Sequence, residues 1–357
     1  MGIAILSITT AAGAGLGYPV TGFIAQRLDY RAGFWFAAII TLIALALVIV
    51  VVPAGSLRKP NPLDFIGAIL LSIVLASLLL FISEGTKWGW TSGKILGLAA
   101  VAVVAGGIWI WQALRTTYPL VDLRLMTNRS VLTADIVALL MGVSLYAMSS
   151  LINRYVQAPK EAGYGFHAGL VATGLMLGPL AIGSLLSNRM SSMLTARYGP
   201  RLVLPLGSLI VAIDMVFVAL MRTSQWEIVI AMVMLGLGIG LAFAAMPLLI
   251  IRAVPPSETG SATSMNTVLR SVGGAIGSAA SIALLSTYTP VGQHLPTNTG
   301  YTVTFLLGAA ICLASGIVSV VLLPRTSVAE AGFQAPVLER IPARPEAGSK
   351  LKPINAR

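Results

Sequence analysis

The 357 residues are 57% hydrophobic and only 10% charged, with a mean hydropathy of +0.89 and a formal net charge of +11. An ordinary soluble domain carries roughly 25% charged residues, so this composition excludes a water-soluble globule and points to a chain solvated by lipid. The positive charge does not mark a nucleic-acid binder, because the cations lie between apolar segments and in the tail, and a single cysteine, Cys312, excludes an intrachain disulfide framework or a cysteine zinc cluster.

A membrane-spanning helix needs about 20 mostly apolar residues. Ten such windows follow in chain order: 3–25, 34–53, 63–83, 94–114, 131–153, 167–188, 202–221, 228–251, 261–286 and 301–323. They are continuously apolar rather than alternating, which predicts helices and not a barrel. The first contains "GAGLGYPVTGF" (Gly13 to Phe23) and is not a secretory leader, since its first basic residue, Arg27, follows the apolar run. The eighth, "IVIAMVMLGLGIGLAFAAMPLLII", has no charge at all. From Pro324 the chain is rich in proline and charge without periodicity, which predicts a disordered tail.

Ten crossings leave both chain ends on one side. Fifteen of the 23 lysines and arginines fall in one set of loops and ends, from Arg58 and Lys59 to the tail, and seven in the other, from Arg27 to Arg222. The cytoplasmic side carries the excess, so both termini are expected in the cytoplasm, with the protein multi-pass in the cell membrane. The remaining cation, Arg270, lies inside a window.

Four stretches, in order and at matching spacing, resemble the major facilitator superfamily, and within it the drug:proton antiporter branch with fourteen spanning helices. "NPLDFIGAILLSIVLASLLLFISEGTKWGW" (61–90) resembles the first of the two helices that this branch inserts between its halves. "YPLVDLRLMTNRSV" (118–131) resembles the lead-in to the second half, "LTARYGPRLVLPLG" (194–207) the basic loop between that half's second and third helices, and "SETGSATSMNTVLRSVGGAIGSA" (257–279) its fifth helix. "GAGLGYPVTGF" resembles the antiporter motif of the fifth helix, with Pro19 and Gly22 matching and Tyr30-Arg31 in place of the tryptophan-arginine turn, but with Ala14, Tyr18 and Phe23 where the motif has glycine.

The resemblance implies an all-α polytopic membrane protein of the major facilitator fold. Residues 1–54 then hold the last two helices of the N-terminal half, 55–117 the inserted pair, 118–323 a complete six-helix C-terminal half and 324–357 a cytoplasmic tail. Four helices of the family's first half would precede Met1, so a fragment or a late gene start is expected. The implied function is proton-coupled efflux of amphipathic or cationic drug-like small molecules by alternating access, with substrate, protons and the lipid bilayer as partners, no nucleic acid, no cofactor and a monomeric state. The alternative is a truncated membrane module that does not transport.

Particular residues carry this expectation. Gly13 and Gly17, Gly174 and Gly178, and Gly273 and Gly277 are small residues four apart, able to let helices slide closely or simply to pack a bundle. Pro19 and Gly22 are assigned to gating or sealing by the resemblance. Arg270 sits about nine residues into its window, roughly 14 Å deep at 1.5 Å per residue. An arginine there costs at least ~2.5–3.5 kcal/mol on insertion scales, so it faces a cavity or a partner. Asn266 shares its face and joins it as a cavity-lining candidate; the competing account is a buried structural ion pair. Asp214, roughly 18 Å into its own window, is a candidate proton carrier able to pair with Arg270, although the family places that helix outside the cavity. Asp135 is read as interfacial. Tyr146 and Asn153 are candidate polar contacts in the cavity, and Met141, Met148, Met232, Met234 and Met246 fit either an adaptable pocket or core filling. Arg197, Gly199 and Arg201 in "RYGPR" match the family's cytoplasmic gate loop by type, or simply obey the charge rule. The sequence shows no catalytic constellation: His167 and His294 lack paired ligands, and there is no phosphate loop, HExxH or paired carboxylates on one helix. Neither an enzyme nor a metal site is expected.

Overall fold

A computed structural model of the chain describes residues 2–51, 64–117, 119–121, 123–255, 258–290, 292–293 and 295–323. The tail from 324, expected to be disordered, the loop with Arg58 and Lys59, and His294 lie outside the described residues. The described ordered elements are eleven α-helices with two short 3-10 turns: α1 Gly2–Arg27, α2 Tyr30–Val51, α3 Phe65–Trp88, α4 Gly93–Arg115, α5 Arg129–Val156, α6 Leu170–Leu177, α7 Leu180–Tyr198, α8 Pro200–Leu220, α9 Gln225–Ala253, α10 Thr259–Thr287 and α11 Asn298–Leu322. Nine apolar spans among them are long enough to cross a membrane, with α6 and α7 forming one span, and they coincide with the second to tenth windows. The first window is α1. The all-α, polytopic expectation therefore holds.

Local chemistry sets the helix ends. Asn128, Ser92 and Thr297 cap α5, α4 and α11 by accepting the backbone N–H of Ser130, Ile95 and Gly300. Ser224 and Glu227 make a capping box at the start of α9. The sixth window is not one straight helix: it breaks at Gly178-Pro179 and then runs on to Tyr198, ten residues beyond the predicted end. Pro179 has no N–H to donate back to α6, which ends the ladder there. The polar continuation carries Arg189 and, in its last turn, Arg197, and it stays helical because a helix satisfies its own backbone as it leaves lipid. The expected loop between α7 and α8 shrinks to Gly199, whose φ of +77° is a conformation that favours glycine.

Residues from α5, α8, α9 and α11 supply most of the buried apolar core, including Met148, Leu151, Val211, Met215, Leu235, Leu241, Phe305 and Ala309. The pairings are α5 with α10, α7 with α9, α8 with α9 and α11, and α5 with α11. The pair α3–α4 rests on α10 through α3, beside an apolar cleft of about 300 Å³ lined by Leu75, Leu78, Thr267 and Val272. Asp64 binds this pair together: its carboxylate accepts from the Gly67 N–H at the head of α3, from Gln112 Nε2 on α4 and from the Leu120 N–H beyond it. Partial burial opposes its charge, but these donors prevail and hold the carboxyl below the usual range.

Candidate functional site

Glycine contacts divide into two kinds. At the seam between α1 and α6, a Cβ on Gly22 would lie 2.6 Å from the Leu170 carbonyl oxygen, and one on Gly174 would lie 2.7 Å from the Tyr18 carbonyl oxygen and 2.9 Å from Pro19 Cα. Backbone therefore meets backbone there. Gln26 Oε1 pins the lower end by accepting the Val171 N–H at 3.2 Å. Pro19 and Gly22 thus sit on this seam, while Gly13 and Gly17 face open space with nothing within 4 Å. Gly178 lies at the break between α6 and α7.

Gly273 and Gly277 belong to the second kind. Their missing Cβ positions fall on the backbones of Leu139 and Val143, and that of Gly142 falls on the backbone of Arg270. These glycines let α5 and α10 touch along their length within one helical lobe. The same interface carries a buried polar contact. Asn266 Nδ2 donates to the Ala134 carbonyl at 2.9 Å and to Asp135 Oδ1 at 3.0 Å. Asn266 is only 7% exposed and Asp135 fully buried, so both lie between helices.

Arg270 is the exception on α10. Its guanidinium carbon lies 4.6 Å from the centroid of the Phe243 ring on α9, and the side chain is half-buried. Tyr146, half-exposed, places its ring against Gly274, one turn further along α10. Tyr18 of α1 lies within electrostatic reach of Tyr146 and Ser149. Arg270 and Asp214 do not pair: among the described residues the one ion pair joins Lys87 and Glu84. Asp214 is fully buried on α8, and neither carboxyl oxygen has a hydrogen-bond partner. It lies in the same neighbourhood as Cys312 of α11, whose thiol donates to Ser144 Oγ of α5 at 2.9 Å.

Four of the five methionines singled out, Met141, Met148, Met232 and Met246, are fully buried core, and Met234 is partly buried. Asn153 stands at the end of α5, accepts from Gln157 Nε2 at 2.8 Å, and lines a cavity of about 260 Å³ with Arg154, Tyr164 and Tyr301. Arg197 and Arg201 flank Gly199, and Arg197 lies over the Tyr198 ring.

Arg222, which the sequence marked only as a loop cation, is 6% exposed. Its guanidinium donates to Asn298 Oδ1 at 2.6 Å, the Asn298 carbonyl at 3.0 Å, Thr302 Oγ1 at 2.6 Å, the Val218 carbonyl at 3.1 Å and the Ala219 carbonyl. It also lies over Tyr155, whose hydroxyl donates back to the Arg222 carbonyl at 3.0 Å. Tyr155, Tyr164, Phe166 and Tyr301 form one aromatic cluster around it. Burial draws the guanidinium pKa down, but with five oxygens around it the group keeps its charge. The signal available in sequence was a cation two residues beyond α8, where it can bond the last carbonyls of that helix.

Comparison with known proteins places this architecture. An uncharacterized MFS-type transporter of Mycobacterium tuberculosis is 26% identical over 282 residues, covering 77% of this chain and 39% of that protein. The multidrug resistance protein B homolog of the same organism is 24% identical over 294 residues, covering 80% of this chain and 53% of that protein. The methyl viologen resistance protein SmvA of Salmonella typhimurium is 25% identical over 303 residues, covering 83% of this chain and 59% of that protein. The chain thus spans roughly half the length of these relatives. A crystal structure of a peptide transporter POT variant superposes with a TM-score of 0.53 at 15% identity, covering 89% of this chain and 66% of that one, a likeness of fold alone. The family model described as Major Facilitator Superfamily matches residues 1–278, and the chain belongs to that superfamily.

Proposed function

We propose that this protein is a proton-coupled exporter of drug-like or amphipathic small molecules, working by alternating access, of the drug:proton antiporter branch with fourteen spanning helices. Residues 1–54 act as the last two helices of the N-terminal half, 55–117 as the inserted pair and 118–323 as the C-terminal half. Both termini lie in the cytoplasm and the protein works as a monomer in the cell membrane. Arg270 and Tyr146 line the substrate path, Asn153 lies near its outer end, and Asn266 sets the helix that carries Arg270. Pro19, Gly22 and Gly174 form the seam that parts and closes, and Arg197, Gly199 and Arg201 form the cytoplasmic gate. Asp214 is the proton-carrying candidate of this half, as a buried intramembrane carboxyl without a partner. The names of two relatives, for multidrug resistance and methyl viologen resistance, favour efflux.

The observation that carries this reading is the α1–α6 seam. Gly22 and Gly174 let two helices assigned to opposite halves meet backbone to backbone, with no interlocking side chains at those points. Such a contact is tight enough to exclude solvent and smooth enough to open by rigid-body rocking. The test is uptake into everted vesicles of cells expressing the gene from its own locus, driven by an imposed pH gradient. The reading expects flux of a multidrug-type dye that collapses with the gradient and falls at least tenfold in Gly174→Val. Gradient-independent dye distribution in vesicles holding the protein would reject proton antiport.

A further inference from the structure

Arg270 occupies the most demanding position of any cation in the described spans. It lies eleven residues beyond the start of the 29-residue helix α10, about 17 Å along it, near the middle of the bilayer. A guanidinium stays charged and carries five N–H donors. The neighbours of Arg222 supply oxygens for that purpose; among the described residues the contact of the Arg270 guanidinium is the face of Phe243, at 4.6 Å. A ring face offsets part of the charge but accepts none of the in-plane hydrogen bonds.

The acids of the same lobe are occupied or distant. Asp135 is engaged by Asn266 inside the α5–α10 interface. Asp214 is enclosed on α8 near Cys312. Glu227 is committed to the cap of α9. One turn further along α10, Tyr146 of α5 lies half-exposed with its ring against Gly274. Among the described residues Arg270 thus has a ring face and no hydrogen-bonding partner, with a second aromatic ring one turn along its helix.

We propose that Arg270, seated on Phe243 with Tyr146 one turn along the helix, is a substrate subsite for an amphipathic organic anion, specifically an aromatic carboxylate. The carboxylate takes the guanidinium edge in a bidentate pair, and the aromatic body lies along Tyr146 and Phe243. This deepens the transporter reading above and rests on it for the role of the site. It also separates this chain from its relative named for methyl viologen, since a dication placed here would meet like charge.

The experiment uses the purified protein in detergent and three probes: dansylglycine, its uncharged methyl ester, and methyl viologen as competitor. Saturable fluorescence, displaceable by unlabelled compound, reads binding. Dansylglycine is expected to bind at least tenfold tighter than the ester. Arg270→Gln should erase that preference, Arg270→Lys should keep part of it, and Phe243→Leu should weaken dansylglycine binding about threefold. The comparison of carboxylate with ester in the unaltered protein stands even if a variant misfolds. Equal binding of the two probes, no saturable binding of dansylglycine, an unchanged preference in Arg270→Gln, or displacement by methyl viologen would overturn the subsite. Gradient-driven flux of a probe without carboxylate preference would sink this inference and leave the transporter reading standing. Carboxylate-selective binding without flux would do the reverse.

Discussion

Gly277→Ala should destabilise the lobe, and the size of the effect follows from one contact. The added methyl would lie 2.7 Å from both the carbonyl carbon and Cα of Val143, where an ordinary contact is at least 3.4 Å. The neighbouring atoms are backbone of α5, so no rotamer change relieves the clash; α5 and α10 must part by several tenths of an ångström. Overpacking of this kind costs about 1–3 kcal/mol. In water the gain in helix propensity from glycine to alanine would return about 1 kcal/mol. In a membrane the separated helices are already helical, so little of that gain applies and the clash dominates. Parting the helices also strains the Asn266–Asp135 bond about three turns away along α10. Gly273→Ala meets the Leu139 backbone and is relieved by the same separation, so the double variant should lose less than the sum of the two singles. Gly17→Ala, with nothing within 4 Å, is the control and should be neutral or slightly stabilising. Thermal unfolding in a mild detergent, followed by tryptophan fluorescence, measures all four proteins. Equal shifts for Gly277→Ala and Gly17→Ala would refute the claim that backbone proximity, rather than glycine content, holds this interface.

Arg222→Met should cost about 2–3 kcal/mol, because the Asn298 and Thr302 acceptors lose a charged donor, and Arg222→Lys should recover less than half in the same melt, lacking the planar fork. Asn266→Leu leaves the Asp135 carboxyl buried without its donor and should cost about 1–2 kcal/mol, whereas Asp135→Leu with Asn266→Leu should restore most of the loss; a double variant worse than the single would contradict that account. Asp64 has a folded pKa below its unfolded value of about 3.9, so its contribution is complete above that pH and is lost as pH falls through the lower folded value. Unfolding measured below about pH 4 should therefore show an acid-dependent loss that Asp64→Asn reduces.

The sequence disclosed the class and nine of its ten expected spans, α1 not being among the nine, because both rest on composition, which local chemistry does not override. A run such as 228–251 without a charge has one physical solution in lipid, and α9 follows it closely. Helix ends were less legible. The α7 extension to Tyr198 is polar enough to look like loop, and it is helical because a helix satisfies its own backbone as it leaves the membrane. Pairing was the least legible, since it depends on which face of each helix meets which neighbour. Asn266 and Arg270 are four apart and were assigned one role, yet one is clamped between α5 and α10 while the other reaches across to Phe243 on α9. The depth of Asp135 in its window was legible, but not its burial, which comes from α10 lying across it.

These placements offer a way to tell framework from function among polar groups in the lobe. A buried polar side chain in lipid is costly unless matched, and most of those described here are matched: Ser208 with Ser315, Cys312 with Ser144, Asn266 with Asp135, Arg222 with Asn298. Each match joins two helices of the same lobe, which is what a rigid rocking body requires. Beside Asp135 Oδ2 and Thr195 Oγ1, which also lack a partner, two groups break the pattern in opposite ways. Among the described residues, Asp214 is enclosed with both oxygens unmatched, and Arg270 is partly exposed with a ring face and no hydrogen-bonding partner. A closed carboxyl without a partner can keep a neutral, protonated form, while an open guanidinium cannot discharge and must find an acceptor from outside. By chemistry alone, then, the first suits a proton and the second a ligand. Exchanging Arg270 for glutamine should alter which compounds bind and leave the melting of the lobe nearly untouched; exchanging Arg222, fixed to five oxygens, should do the opposite.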